Sequence, residues 1–309
     1  MENNKLIKKN RLPYFDVAKG ILIICVVYSH ICWTTSTVGD IQNGENWQEL
    51  NTFGAYFWVP FYMPAFFIIT GYCSSFTKDF KMFLQNNVMT LLWPMLIITF
   101  QNHWFIYALL IAKLIYYAIS RYVKKKKMVW CLYLIITVFA CICQNIPAIV
   151  GHNHWYLFHG LALAIYIPIG ADLKKCIDKT WVIVLGTIVY MTVIIPSYCL
   201  GIQLPSIFSN YNVSIVQLAL HLLLAVSGSM MLFGLCKLIY RNRLLEYLGK
   251  NSLMIFLVHV IFISTIVSHL PVDTNNVIHF TCVLIISIGL SSAVAAVFNT
   301  KYLKWCIGK

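Results

Sequence analysis

The chain is 309 residues long, 60% hydrophobic and 11% charged, with a mean hydropathy of +0.76. Soluble domains carry about 25% charged residues, so a water-soluble globule is excluded. The charge is lopsided, 23 Lys and Arg against 10 Asp and Glu for a formal +13, and what that implies depends on where the basic residues sit.

A bilayer core needs about 20 mostly apolar residues per helix. Ten stretches qualify in chain order, near 16–35, 53–76, 87–101, 103–120, 128–147, 155–172, 180–200, 213–236, 248–269 and 277–298. The predicted fold is therefore all-α, a polytopic membrane helix bundle of about ten transmembrane helices forming one integral domain over 1–309. The third and fourth stretches are separated only by Gln101, Asn102 and His103.

Charge placement supports two helices there. Basic residues cluster at 5–11, 78–81, 121–127, 174–179, 237–250 and 301–309, which accounts for 21 of the 23. The alternate loops near 36–52, 101–103, 148–154, 201–212 and 270–276 hold none. The positive-inside rule puts the basic set in the cytoplasm, so an even number of spans joins any two clusters and both termini are cytoplasmic. The interval 82–120 then holds two helices. Those 21 residues mark one membrane face, the Lys124–Lys127 run reads as a topogenic loop facing anionic lipid, and no nucleic-acid partner is expected. No A-x-A site follows the first apolar run, so it reads as a span rather than a cleaved leader.

The 11 cysteines are scattered through apolar runs and read as buried thiols. His152, His154 and His159 have no accompanying Cys or carboxylate, and no metal is expected. The sequon Asn212-Val213-Ser214 is read as chance. The longest extracytoplasmic segment, about 36–52, carries Asp40, Glu45, Glu49 and Trp47 and suits a short lid or an acceptor contact.

Ionisable groups inside lipid cost roughly 2.5–3.5 kcal/mol each and are functional candidates by default. They are few here: Asp16 and Lys19 at the inner end of the first span, His30 toward its outer end, Lys113 in the fourth, His221 in the eighth and His259 in the ninth. Eleven helical steps separate Lys19 from His30, a net rotation of about 20° and a rise of about 16 Å, so the two share one face. Gly20, Ile23 and Val27 complete that stripe, and Gly20 leaves room for a close approach to the backbone. A cation at the cytoplasmic end with an imidazole three turns deeper fits an elongated anionic ligand whose reactive end reaches His30. Coenzyme A thioesters have that shape. Imidazole, with a free pKa near 6.5, takes and returns a hydroxyl proton at neutral pH. No span supplies a carboxylate to orient His30; Asp40, Glu45 and Glu49 in the outer segment are all open as that partner.

These residues resemble the acyltransferase 3 family of integral membrane acyltransferases, which O-acylate carbohydrates. Tyr14-Phe15-Asp16-Val17-Ala18-Lys19-Gly20 with His30 is similar to its first-helix signature, a basic residue, ten positions, then histidine. Phe61-Tyr62-Met63-Pro64 through Thr70-Gly71-Tyr72 resembles its second-helix pattern, and His103-Trp104-Phe105-Ile106 its W-F-L motif. Leu248-Gly249-Lys250-Asn251-Ser252-Leu253, followed by His259, is like its late L-G-x-x-S segment, with Asn251 and Ser252 opening the ninth helix. The resemblance implies His30 as catalytic base, Lys19 with Asp16 in the acyl-CoA site, and Tyr62, His103 and Trp104 in the substrate pocket. Two positions depart from the pattern: Tyr62 stands where a histidine is common, and Gln85, Asn86 and Asn87 stand where basic residues usually precede the third span. Lys113 is a candidate for the missing acyl-CoA-binding charge.

The expected activity is transfer of an acyl group, acetyl first among them, from cytosolic acyl-CoA to a hydroxyl of a cell-surface or exported glycan. His30 either deprotonates the acceptor or carries the acyl group itself. The expected place is the plasma membrane, with glycan-synthesis proteins as possible partners. The alternative is a transporter exporting a small metabolite or glycan precursor; both span carboxylates, Asp16 and Asp172, sit at cytoplasmic ends, whereas proton-coupled transporters carry theirs at mid-membrane.

Overall fold

The computed structural model describes residues 12–37, 52–74, 79–99, 103–144, 146, 155–202, 204, 214–270 and 276–308. Among these the secondary structure is helical throughout, with no strand. Among the described residues nine helices are long and apolar enough to cross a membrane. They match nine of the ten expected stretches, and the remaining one, 87–101, falls on a composite helix.

Helix α1 (Pro13–Thr37) opens on a proline, whose missing N–H costs nothing at a helix start. Its residues Val17, Ala18, Leu22, Val26, Val27 and Ile31 are fully buried, and it lies at the centre of the bundle. A helical stretch at 52–57 leads through a turn into α2 (Tyr62–Cys73). Next, α3 (Phe80–Asn87) continues through a widened π turn at Val88–Leu92 into α4 (Trp93–Ile98). Pro94 has no N–H for the Thr90 carbonyl four residues back, and just before it the Trp93 N–H reaches five residues back to Val88 O, the bond that widens the turn. The 19 residues from 80 to 98 rise about 28 Å, close to the hydrocarbon thickness. Helix α5 (Trp104–Tyr122) follows, so the interval 82–120 holds two helical stretches.

Helices α6 (Lys126–Gln144) and α7 (Trp155–Leu163) follow, and α7 turns at Ala164 and Ile165 into α8 (Tyr166–Leu173). Helices α9 (Thr180–Cys199) and α10 (Ile215–Ile239) form an antiparallel pair; α10 starts at a capping box between Ser214 and Gln217. The stretch read as 248–269 is two helices, a short α11 (Arg243–Lys250) and α12 (Ser252–His269). Arg243, Glu246 and Lys250 make α11 strongly two-sided, so it cannot be part of a span. Asn242 caps it, its side chain accepting from the Leu245 N–H at 3.0 Å. Helix α13 (Val277–Phe298) completes the bundle, and the turn at Lys304–Ile307 packs back on the π turn, where Trp93 donates to Trp305 O at 3.1 Å.

Two glycine crossings set the packing. A Cβ at Gly20 would stand 2.2 Å from Leu245 O, and one at Gly249 would stand 1.8 Å from Asp16 O, so α1 and α11 meet backbone to backbone. The room expected at Gly20 for a ligand is filled by α11. Gly71 and Gly170 do the same for α2 and α8, against Ile167 O and Ile68 O.

Candidate active site

Among the described residues the ion pairs collect at one end of the bundle, which we call the basic end. Lys126 and Lys175 both reach Asp172, at 3.2 and 3.0 Å, Lys237 reaches Asp178 at 2.8 Å, and Lys250 reaches Glu246 at 3.0 Å. The first- and second-helix signatures meet here. Phe15 lies 4.5 Å from the Tyr72 ring and 5.4 Å from that of Phe233, centroid to centroid. Lys174 stands 5.7 Å over Tyr72 and Lys237 5.5 Å over Tyr14, cation–π distances that hold two ammonium groups on the aromatic floor.

Lys19 belongs to this end as well. Its ammonium lies 2.7 Å from the Asp16 carboxylate one turn earlier on α1. The carboxylate is nearly buried, at 4% exposure, and the Lys19 side chain keeps 25%. The pair therefore has a protected anion and an accessible cation.

From Lys19 the stripe climbs α1 through buried Ile23 and Val27 to His30. The imidazole ring of His30 lies 4.9 Å from that of His259 on α12, the planes at 68°, and 5.8 Å from Trp33. His103, at the start of α5, is within electrostatic interaction distance of both imidazoles. Phe256 ties the three elements together, its ring 5.7 Å from His103, 5.8 Å from His259 and 5.1 Å from Phe105. Three histidines from three separate sequence segments thus share one neighbourhood. Among the described residues no group of three or more His, Cys, Asp or Glu is arranged to hold a metal ion.

Each imidazole is differently held. His103 is 8% exposed, and its Nε2 lies 2.8 Å from the Thr99 hydroxyl; burial holds its pKa below the ordinary histidine value. His259 is 1% exposed, and its Nδ1–H donates to Ile255 O at 3.0 Å.

Tyr62 opens α2, with its hydroxyl within interaction distance of Ser29, the residue before His30. Ser29 accepts from Trp58 Nε1 at 3.3 Å. Tyr62 and His103 are therefore brought to the His30 neighbourhood from two sides. Trp104 turns the other way, 5.6 Å from His159 on α7, and His159 pairs with Gln144 at 3.4 Å. Lys113 lies nine residues further along α5, which packs on α7, and no ion pair joins it to the other site residues among those described. His152, His154, Asp40, Glu45 and Glu49 lie outside the described residues.

The sequence motifs give His259 no catalytic role, although an imidazole in an apolar span is itself a signal. Ten-residue spacing relates Lys19 to His30 because they share a helix; no spacing relates His30 to a residue 229 positions later.

The family model described as an acyltransferase domain matches residues 12–101 and 97–296. No curated protein and no solved structure matches the chain.

Proposed function

This chain belongs to the acyltransferase 3 family and is a membrane acyltransferase, and from that premise we propose that it moves an acetyl or other acyl group from cytosolic acyl-CoA to a hydroxyl of a cell-surface or exported glycan. The observation that carries this reading is the buried α1 stripe, which runs from the Asp16–Lys19 pair to the imidazole pair of His30 and His259. Its ends suit the two ends of an acyl-CoA. With the basic end facing the cytoplasm at the plasma membrane and both termini inside, acyl-CoA enters beside Lys19. An ammonium has three donors; Asp16 takes one, and two remain for phosphate or pantetheine oxygens. Lys113, a cation within an apolar helix that needs an anionic or polar partner, is proposed as a second acyl-CoA contact.

At the far end of the stripe His30 accepts the proton of the acceptor hydroxyl as its oxygen attacks the thioester carbonyl. The new C–O bond forms and the C–S bond breaks. The proton then passes from His30 to the departing sulfur, so coenzyme A leaves as the thiol and the imidazole returns to its starting state. Tyr62 and His103 supply aromatic and polar walls for the acceptor and the acyl group, whereas Trp104, turned toward His159, stands outside that wall.

The test is transfer of label from labelled acetyl-CoA to extracted surface glycan in membranes. His30→Ala is expected to lower the rate by about 10²–10⁴, the usual contribution of a positioned base. Undiminished transfer in that variant removes His30 from the mechanism. Absence of transfer by the unaltered chain, with substrate uptake by vesicles, replaces the enzyme reading with a transporter.

A further inference from the structure

A histidine that acts as a base works best when a second group holds its other ring nitrogen, fixing the tautomer and the ring plane. A carboxylate is the usual holder, and none of the described carboxylates reaches His30 by an ion pair, as those described sit at the basic end.

His259 has the properties of such a holder. Ile255 O can only accept, so the 3.0 Å contact fixes the proton of His259 on Nδ1 and leaves a lone pair on Nε2. That Nε2 is buried and has no hydrogen-bond partner, in a side chain 1% exposed. With Nδ1 tied to its own helix, the opposite edge of the ring points away from α12, toward the elements packed on it. Helix α1 is one of these and brings the His30 ring to 4.9 Å. The titratable groups whose charge reaches His259 are His30 and His103. Hydrogen bonds at catalytic sites commonly close only when substrate is bound.

We propose that His259 is the positioning residue for His30: its Nε2 accepts the ring N–H of His30, and this leaves the other nitrogen of His30 free to take the acceptor's proton. The inference rests on the reading of His30 as the base. No proton moves to His259 in the reaction; it stays with its own Nδ1–H throughout, and the transferred proton goes from the hydroxyl to His30 and on to the coenzyme A sulfur. His259 does the work of a carboxylate without adding a charge to an apolar site.

The test needs no turnover. Diethylpyrocarbonate acylates the unprotonated nitrogen of imidazoles, and peptide mass spectrometry reads each histidine separately in the full-length chain in detergent. The rate at His30, relative to that at exposed His269, is compared at several pH values with saturating coenzyme A bound, in the unaltered chain, His259→Gln and His259→Met. The Gln carboxamide oxygen accepts the same hydrogen bond, and Met fills space without doing so. Expected is a rate at His30 within twofold of the unaltered chain for His259→Gln, and at least threefold lower, with a displaced pH midpoint, for His259→Met. Equal rates in all three, or an equal fall in both variants, overturn the proposal, the second because it reports packing alone. Protection of buried His221 in the same spectra certifies the fold; where His259→Met fails that criterion, His259→Leu is read in its place. Loss of acetyl transfer with these ratios intact counts against the proposed activity and not against the histidine pair.

Discussion

Asp16 and Lys19 form an ion pair of 2.7 Å in which the anion is buried and the cation is not. The asymmetry separates a structural role from a binding one. Lys19→Gln removes the ammonium 2.7 Å from the buried Asp16 carboxylate and with it a charged donor, so both stability and acyl-CoA affinity should fall. Loss of one charge-assisted hydrogen bond is worth about 1.5–3 kcal/mol, or roughly tenfold or more in KM for acetyl-CoA. Asp16→Asn combined with Lys19→Gln removes the buried anion together with its counter-charge and should recover most of the stability with no recovery of KM. Recovery of both would mean that Lys19 serves only to neutralise Asp16.

The crossing of α1 and α11 predicts a second asymmetry. Gly249→Ala puts a methyl group against Asp16 O, and Gly20→Ala puts one against Leu245 O, both far inside contact distance. Backbone cannot rotate away as a side chain can, so each substitution should cost about 1–3 kcal/mol and lower the thermal midpoint in detergent by several degrees. Gly289→Ala is the control: nothing lies within 4 Å of its Cβ position, and alanine is the better helix former, so a neutral or slightly stabilising effect is expected. Equal midpoints for all three variants would remove the close crossing.

The span pattern was legible because hydropathy and basic residues are both read along the chain, and the split of 82–120 into two helical stretches follows from charge alone. The start of α12 was legible as well, since Asn251 and Ser252 read as the opening of the ninth helix; the separate α11 before it was not, because the apolar run beginning at Leu248 hides a helix whose polar residues, Arg243 and Glu246, precede it. Gly20 announced a close approach but not by what; only the packing identifies Leu245. In the site, Lys19 and His30 were legible as an intrahelical pair. The meeting of His30 with His259 is a tertiary contact between the first and twelfth helices, and periodicity within either helix carries no trace of it. Trp104 and His103 enter together through the His103-Trp104-Phe105-Ile106 motif, yet neighbours on a helix point about 100° apart, and these two contact different elements.

Lys113 is half-buried in α5, and among the described residues no carboxylate pairs with it. If it meets the phosphates of acyl-CoA, Lys113→Met should raise KM for acetyl-CoA severalfold with kcat little changed, because a contact far from the thioester is made equally in ground and transition states. An unchanged KM removes Lys113 from the donor site and leaves Lys19 as the cation under test.

His103 gives the fold a pH dependence with a defined sign. Burial lowers its pKa in the folded chain below the free value of 6.5, so between the two values the unfolded chain binds more protons than the folded one. Stability then rises with pH across that window. The contribution is fully present above pH 6.5 and is lost as pH falls through the folded pKa, with a slope that for one group cannot exceed about 1.4 kcal/mol per pH unit. His103→Asn keeps a polar partner for Thr99 and removes the titration, so its thermal midpoint should fall less between pH 7.5 and pH 5 than that of the unaltered chain. The comparison between the two cancels the other buried histidines, which both proteins share. Parallel midpoint curves would show that His103 is protonated as readily in the fold as in the unfolded chain.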